Sequence, residues 1–296
     1  MDEIWPVLEW AEWQPTADTL HLWTQIVGKT RLALTPLQNH WWNVPLYVSA
    51  RGLTTSAMPL PKGAGLLEIE FDFLRHVLEF RLSTGAVRTM ELRPQTVAAF
   101  FAEYKAVLVD LGIAVTIHPM PVELAAPIRF DLDETHRSYD RDAVERFHRV
   151  LMLCDTLFKR FSANFLGKIS PVHFFWGSFD LCVTRFSGRG VGGDPKPDRV
   201  QQEAYSHEVI SAGFWPGNGG LGAASFYCYA APVPAGLGEK PVYPGGWNAE
   251  MGEFLLPYDG VRKAADPAAA VLHFLQSTYS AAADCARWDR ALLDRK

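Results

Sequence analysis

The sequence predicts an α+β fold in which antiparallel sheets are flanked by long helices. Four segments repeat apolar residues every three or four positions, which is typical of amphipathic helices. Between them, apolar and polar residues alternate and are interrupted by Gly and Ser, as in short strands joined by turns. The strands are grouped between helices and do not alternate with them, so antiparallel pairing is favoured over a parallel sheet.

The four predicted helices begin at recognisable signals. The first runs from Thr16 to about Leu34, and Pro94 opens the second. The third lies between Asp140 and Phe165, where apolar residues follow steps of three and four. Asp266-Pro267 starts the fourth, because this pair suits an N-cap and a first helical turn.

Eight segments have the period of two that is expected of strands. They are PLYVSARG, LLEIEFDF, HVLEFRLS and AVRTMEL in the first half, and FDLCVTRFS, AYSHEVISAGFW, SFYCYA and EFLLPY in the second. The proline-spaced run 118–130 lies between the two groups and is predicted to be a linker. We therefore expect a helix–sheet–helix unit at 1–117 and another at 131–296, packed as one functional unit.

The repeated order, helix–strands–helix twice, suggests an internal duplication. Gly28-Lys29, Thr35-Pro36 and His40-Trp41-Trp42 recur in the same order as Gly167-Lys168, Ser170-Pro171 and His173-Phe174-Phe175. Coincidence stays open, because the spacings differ by several residues. If the halves are copies, His40 and His173 occupy related places and the polar residues near His173 belong to a cleft between the repeats.

Composition limits the classes of function. Hydrophobic residues at 48% and charged residues at 21% are those of a globular protein. The net charge of −5 is dispersed along the chain, so no nucleic-acid partner is expected. The start MDEIWPVLEWAEW lacks the basic region of a signal peptide, and no apolar run is long enough to span a bilayer. We expect no membrane partner and a cytoplasmic location.

No cofactor is predicted. GRGVGG at 188–193 and GNGGLG at 217–222 match the dinucleotide pattern, whose mechanism needs a helix immediately afterwards. DPKPD follows the first and the strand SFYCYA follows the second, so neither segment opens a helix. The four cysteines show no C-x-x-C spacing, which disfavours a structural zinc site.

Three strands of the second half predict a small-molecule site. Counting by twos separates Asp180 from the apolar face of its strand. If the strands pair, one face collects Trp176, Asp180, Tyr205, His207, Trp215, Tyr227 and Tyr229. Aromatic walls with a few polar groups are typical of a ligand pocket. The alternative is the polar, solvated face of an ordinary antiparallel sheet.

Chemical roles follow from the residue types on this face. His207 is the candidate general acid or base, because the unperturbed pKa of the histidine side chain, about 6.5, suits proton transfer near neutral pH. Asp180 would orient a histidine or the substrate. Trp176 and Trp215 would form the walls.

Two arginines near a Ser-Gly turn are candidate anion ligands. Arg185 and Arg189 would hold a carboxylate or phosphate through paired hydrogen bonds. Alternatively, they pair with Asp194 or Asp198 nearby.

Two further histidines, His40 and His173, are candidate ligand-binding residues. A metal site built from His173, His207 and a carboxylate is conceivable. No metal is predicted, because the two-histidine spacing of catalytic metal sites is missing.

Four segments together carry a resemblance to a known family. NHWWNVPLYVSARGLTT, SPVHFFWGSFDLCVTRFSGR, EAYSHEVISAGFWPG and FYCYAAP resemble an uncharacterised bacterial family, the domain of unknown function 5996. The resemblance spans nearly the whole chain and supports one functional unit. It implies no activity, cofactor or partner.

The sequence therefore predicts an enzyme, or a binding protein derived from one, that acts on a small polar or anionic molecule. The alternative is a non-catalytic protein whose aromatic sheet face meets a partner chain. A concave face on which His207 and Asp180 converge favours the first, and a flat exposed face favours the second.

Overall fold

The computed structural model describes residues 4–191, 199–217 and 221–295. These residues form seven helices and two six-stranded sheets in which every pair of neighbouring strands is antiparallel. The predicted α+β class is confirmed.

The helices are α1 (Trp10–Leu34), α2 (Val97–Asp110), α3 (Arg141–Ser162), α4 (Arg199–Ala204), α5 (Tyr258–Arg262), α6 (Pro267–Cys285) and α7 (Arg290–Leu293). Asp140 and Asp266 cap α3 and α6 through their side chains, as their sequence positions predict. Pro94 does not open α2, because the side chain of Thr96 provides the N-cap two residues later. The start of α1 lies six residues before the predicted Thr16.

The first sheet contains β1 (Tyr47–Val48), β2 (Gly52–Thr54), β3 (Met58–Pro59), β4 (Leu66–Asp72), β5 (Val77–Leu82) and β6 (Val87–Glu91). Its order is β1-β2-β4-β5-β6, with β3 also paired to β4. One face of this sheet packs on the core through Phe71 and Phe80. The other face carries an ion-pair network in which Arg51 and Arg81 contact Glu70. Acidic and basic side chains of this face therefore pair with one another.

The second sheet contains β7 (His173–Phe175), β8 (Asp180–Gly190), β9 (His207–Trp215), β10 (Ser225–Ala231), β11 (Gly246–Asn248) and β12 (Glu253–Pro257). Its order is β11-β12-β10-β9-β8-β7. Leu181, Phe214 and Phe226 share the face that packs on helices, with the ring of Phe226 6.3 Å from that of Phe158 on α3. The opposite face is therefore the one available for a site.

Within the described residues, a backbone bridge joins the two sheets. Leu46 and Phe174 exchange both of their backbone hydrogen bonds, at 2.8 and 2.7 Å.

Each half of the chain follows a helix–strands–helix order, but an internal duplication is not confirmed. Gly28 lies inside α1 whereas Gly167 follows α3, and His40 lies in a 3-10 turn whereas His173 begins β7. The paired residues of the sequence echoes therefore lie in different kinds of element.

The proline-spaced run 118–130 packs against the rest of the chain. The side chain of Gln25 on α1 donates to the carbonyl of Val122 at 2.9 Å and accepts from its N–H at 2.8 Å. Phe130 belongs to the hydrophobic core. The division into units at 1–117 and 131–296 stays a prediction.

In the described part of the chain, no helix has the length and apolarity to cross a membrane.

Candidate functional site

The face of the second sheet away from the helices carries the polar side chains. Cys182, Gly213 and Tyr227 lie opposite one another on β8, β9 and β10, and the next row contains Thr184, Ser211 and Tyr229. Directly opposite residues project to the same face, and so do alternate residues along each strand. Asp180, His207, Trp215, Tyr227 and Tyr229 consequently share this face, as the alternation in the sequence predicts.

Asp180 is held at this face by two hydroxyl groups. It is only 4% exposed, and both Ser178 Oγ and Tyr227 Oη donate hydrogen bonds to its carboxylate. Burial raises the pKa of Asp180 to about 6, although these hydrogen bonds act in the opposite direction. The carboxyl group therefore changes its protonation close to neutral pH.

Tyr227 reaches Asp180 by lying across the intervening strand. A side chain at Gly213 of β9 would collide with the ring and hydroxyl of Tyr227 and would lie 2.6 Å from the carbonyl oxygen of Leu181. The missing side chain is therefore what permits the Tyr227–Asp180 bond.

Glu253 is the second carboxyl group of this face. Cys228 of β10 pairs with Phe254 of β12. In this antiparallel register the next pair is Tyr229 with Glu253, so these two side chains project from the same face of the sheet. Glu253 is 5% exposed, and its side chain has no hydrogen bond or ion pair with any described residue. Both carboxyl oxygens of Glu253 keep some contact with solvent. Burial, and secondarily the charge of Asp180, raise the pKa of Glu253 to about 7.

Aromatic side chains lie next to each carboxyl group, since Tyr227 donates to Asp180 and Tyr229 lies opposite Glu253. The ring centroids of Trp215 and Tyr227 are 4.7 Å apart, and Tyr229 stacks on Tyr227 at 6.0 Å. The hydroxyls of Tyr205 and Tyr229 are hydrogen-bonded at 3.0 Å. We call this group the acid cluster; it consists of Ser178, Asp180, Tyr205, Trp215, Tyr227, Tyr229 and Glu253.

His207 does not lie near Asp180. Asp180 begins β8 and His207 pairs with Gly190 at its other end. Because β8 has 11 residues, its ends are about 30 Å apart at about 3.3 Å per residue. The expected convergence of His207 and Asp180 is therefore not present, and the two residues do not act on one another.

His207 lies beside His40 in a second group of side chains. Their ring centroids are 5.5 Å apart, and the Nζ of Lys168 lies 2.6 Å from the Nε2 of His40. Lys168 also lies over the rings of Trp42 and Phe186, at 5.3 and 4.9 Å. We call these five residues the histidine cluster.

The hydrogen bonds of His40 define its tautomer. Its Nδ1 lies 3.1 Å from the carbonyl oxygen of Glu203, which can only accept, so Nδ1 carries the hydrogen. Nε2 then accepts from the ammonium group of Lys168. Burial first, and the charge of Lys168 next, lower the pKa of His40. His40 is therefore held neutral in this arrangement.

Neither arginine reaches the acid cluster. Arg185 lies in the middle of β8 on the helix-facing side, 1% exposed, where it donates to the carbonyl of Phe161 at 2.5 Å. Its guanidinium carbon lies 3.5 Å from the ring centroid of Phe161 and 4.2 Å from that of Tyr279. Arg189 donates to Glu208 at 2.8 and 2.6 Å. The alternative partners at 194 and 198 lie outside the described residues.

Trp176 and His173 are packing residues between the halves. Trp176 donates to the carbonyl of Val44 at 2.8 Å and fills the space above Gly28. His173 is 1% exposed, and burial lowers its pKa to about 3. The described residues contain no group of three or more His, Cys, Asp or Glu side chains that could hold a metal ion.

Three surface cavities lie apart from the acid cluster. They measure about 540, 280 and 340 Å³ and lie at the starts of α2 and α3, beside α2, and between β1 and α3. None is lined by a residue of the acid cluster.

These features define an α+β protein whose second antiparallel sheet carries a buried acid cluster on its helix-free face. The chain belongs to the family described as Family of unknown function (DUF5996), whose model matches residues 5–295. The resemblance found in the sequence is thereby confirmed. Searches of curated proteins and of solved structures returned no match.

Proposed function

We propose that the chain binds a small polar molecule at the acid cluster and that Asp180 and Glu253 exchange protons with this ligand. The observation that carries the proposal is Glu253, a buried carboxyl group without a partner among the described residues. Burying an unpaired polar group costs free energy. A ligand that hydrogen-bonds to Glu253 would offset this cost and so bind favourably.

The acid cluster has the chemistry of an acid–base site. The pKa values of Asp180 and Glu253, about 6 and about 7, allow either group to give or take a proton near neutral pH. Strongly perturbed carboxyl groups in a recessed polar site are typical of functional positions. Tyr227 stays protonated because burial and the charge of Asp180 raise its pKa well above the ordinary value. Tyr227 therefore serves as a fixed donor that positions Asp180.

The proposed ligand is a polar molecule. An anionic ligand, which the sequence also suggested, has less support. Arg185 and Arg189 are engaged by Phe161 and Glu208, so no described cation is left at the cluster to hold an anion. A protein-interaction role has less support, because Tyr227 is only 3% exposed and the aromatic face offers little open area. The proposal includes a cytoplasmic location and no nucleic-acid partner, on the sequence grounds given above.

A thermal-shift screen of a metabolite library tests this proposal. The wild type is compared with Asp180→Asn, Glu253→Gln and the control Glu250→Gln, which removes the same charge from an exposed position three residues before Glu253. A ligand at about 100 times its Kd should raise the Tm of the wild type and the control by about 5 °C. The two cluster variants should not respond. Equal stabilisation of all four proteins, or of none, would contradict the proposal.

A further inference from the structure

We infer that the cavity of about 540 Å³ between α1 and the starts of α2 and α3 is a second ligand site, which binds a small zwitterion with a carboxylate and an ammonium group. The cavity lies apart from the acid cluster, so the inference does not depend on the function proposed above. It follows from the fixed walls of the cavity, from a buried amide without a partner and from the signs of the charges that line the cavity.

Hydrogen bonds between α1, α2 and the segment before α3 hold the walls of this cavity in place. The N–H of Val97, the first residue of α2, donates to the carbonyl of His136 at 3.0 Å. The N–H of Asp140, the N-cap of α3, donates to Thr16 Oγ1 on α1 at 3.0 Å. The cavity is therefore preformed, and its volume is within the range of about 300–1,000 Å³ that is typical of small-molecule sites.

Gln95 is the buried polar group that points to a ligand. Gln95 lines the cavity and is 8% exposed, and its side chain forms no hydrogen bond with any described residue. The amide oxygen keeps some contact with solvent, whereas the amide nitrogen is sealed from it. Burying an amide without a partner costs free energy. A ligand N–H group that donates to the amide oxygen would offset part of this cost.

The walls carry charges of both signs that do not pair with one another. Arg137 and Glu12 both line the cavity, and neither side chain forms an ion pair or a hydrogen bond with any described residue. Asp140 also lines the cavity, and its carboxylate accepts the capping hydrogen bond from the N–H of Ala143 at 3.0 Å. An anion would meet two carboxylates here, and a simple cation would meet the guanidinium group. A zwitterion can place each of its charges near a group of opposite sign.

Each part of a zwitterion has matching groups in the walls. Arg137 and Ser138 offer donors for the carboxylate, because the guanidinium group can bind a carboxylate through two parallel hydrogen bonds and the hydroxyl of Ser138 has no partner among the described residues. Gln95 and Glu12 offer acceptors for the ammonium group. Amino acids are the simplest ligands that carry both groups.

Titration calorimetry on the full-length chain tests the inference with the standard L-amino acids, β-alanine and γ-aminobutyrate as probes. At least one probe should bind. Its amide, which lacks the carboxylate, and its N-acetyl derivative, which lacks the ammonium group, should each bind about tenfold or more weakly. Arg137→Gln and Gln95→Met should each weaken binding of the probe by about tenfold or more. Arg129→Gln should match the wild type, because it removes the same charge from an exposed residue outside the cavity.

Urea unfolding separates recognition by Gln95 from a structural role. Because the amide has no partner in the described structure, Gln95→Met should unfold at a urea midpoint equal to or above that of the wild type. A clearly lower midpoint would assign Gln95 to the fold and count against the inference.

Three binding results would overturn the inference. An amide or N-acetyl derivative that binds as tightly as its parent would exclude the zwitterion class. Binding that is unchanged in both Arg137→Gln and Gln95→Met would place the ligand outside the cavity. No binding by any probe would remove the site. Ligands of the cavity are distinguished from ligands of the acid cluster because they should keep their affinity in Asp180→Asn and Glu253→Gln.

Discussion

Tyr227 on β10 donates its hydroxyl hydrogen to Asp180 on β8, across Gly213 of the strand between them. The bond joins residues 47 positions apart in the chain. It exists only because β9 has no side chain where the ring of Tyr227 passes. The acid cluster therefore depends on a glycine that carries no chemistry itself.

We expect Gly213→Ala to destabilise the fold by about 1–3 kcal/mol, since an added methyl group must displace Tyr227 or the backbone at Leu181. Urea unfolding measures the change. Gly246 on β11 is the matched control, because a Cβ there meets no neighbour within 4 Å. Equal stability of Gly213→Ala and Gly246→Ala would show that the ring does not need this space.

The pH dependence of stability should carry the signature of Glu253. Because folding raises its pKa from 4.5 to about 7, the folded state binds more protons than the unfolded state between these values. Its contribution is present below about pH 4.5 and is lost as the pH rises through 7. Relative to Glu253→Gln, the wild type should lose about 3 kcal/mol between pH 4 and pH 8. Parallel stability curves from urea titrations of the two proteins would contradict the raised pKa.

His207→Ala should leave ligand binding at the acid cluster unchanged, because His207 lies at the opposite end of β8 from Asp180. Asp180→Asn should abolish the same binding. A calorimetric titration of the best ligand from the screen measures both. Loss of binding in His207→Ala with an intact fold would restore the site predicted from sequence alone.

Arg185→Lys should destabilise the protein by about 1–3 kcal/mol, since lysine cannot keep both the bond to the Phe161 carbonyl and the stacking on Phe161 and Tyr279. Arg189→Lys is the control, because Arg189 is exposed and its ion pair with Glu208 is worth less than about 1 kcal/mol. Thermal unfolding compares the two variants. An Arg185→Lys protein as stable as its control would favour a role for Arg185 outside the core.

The sequence predicts what depends on local spacing. The caps at Asp140 and Asp266 follow from residue type, and strict alternation places Asp180 and Tyr227 on one face. Alternation does not say how far along a strand two residues lie, so His207 and Asp180 could not be separated. Glu253 could not be found either, because β12 pairs with β10 beyond the three strands considered and its register is set by tertiary packing.

Carbon-13 NMR of the carboxyl groups in glutamate-labelled protein tests the central claim most directly, with Glu253→Gln used to assign the signal. The account predicts that the Glu253 carboxyl titrates near pH 7 in the free protein and that its signal shifts when a ligand found in the library screen is added. A Glu253 signal that titrates near the ordinary pKa of 4.5, and that does not respond to any ligand, would contradict the account.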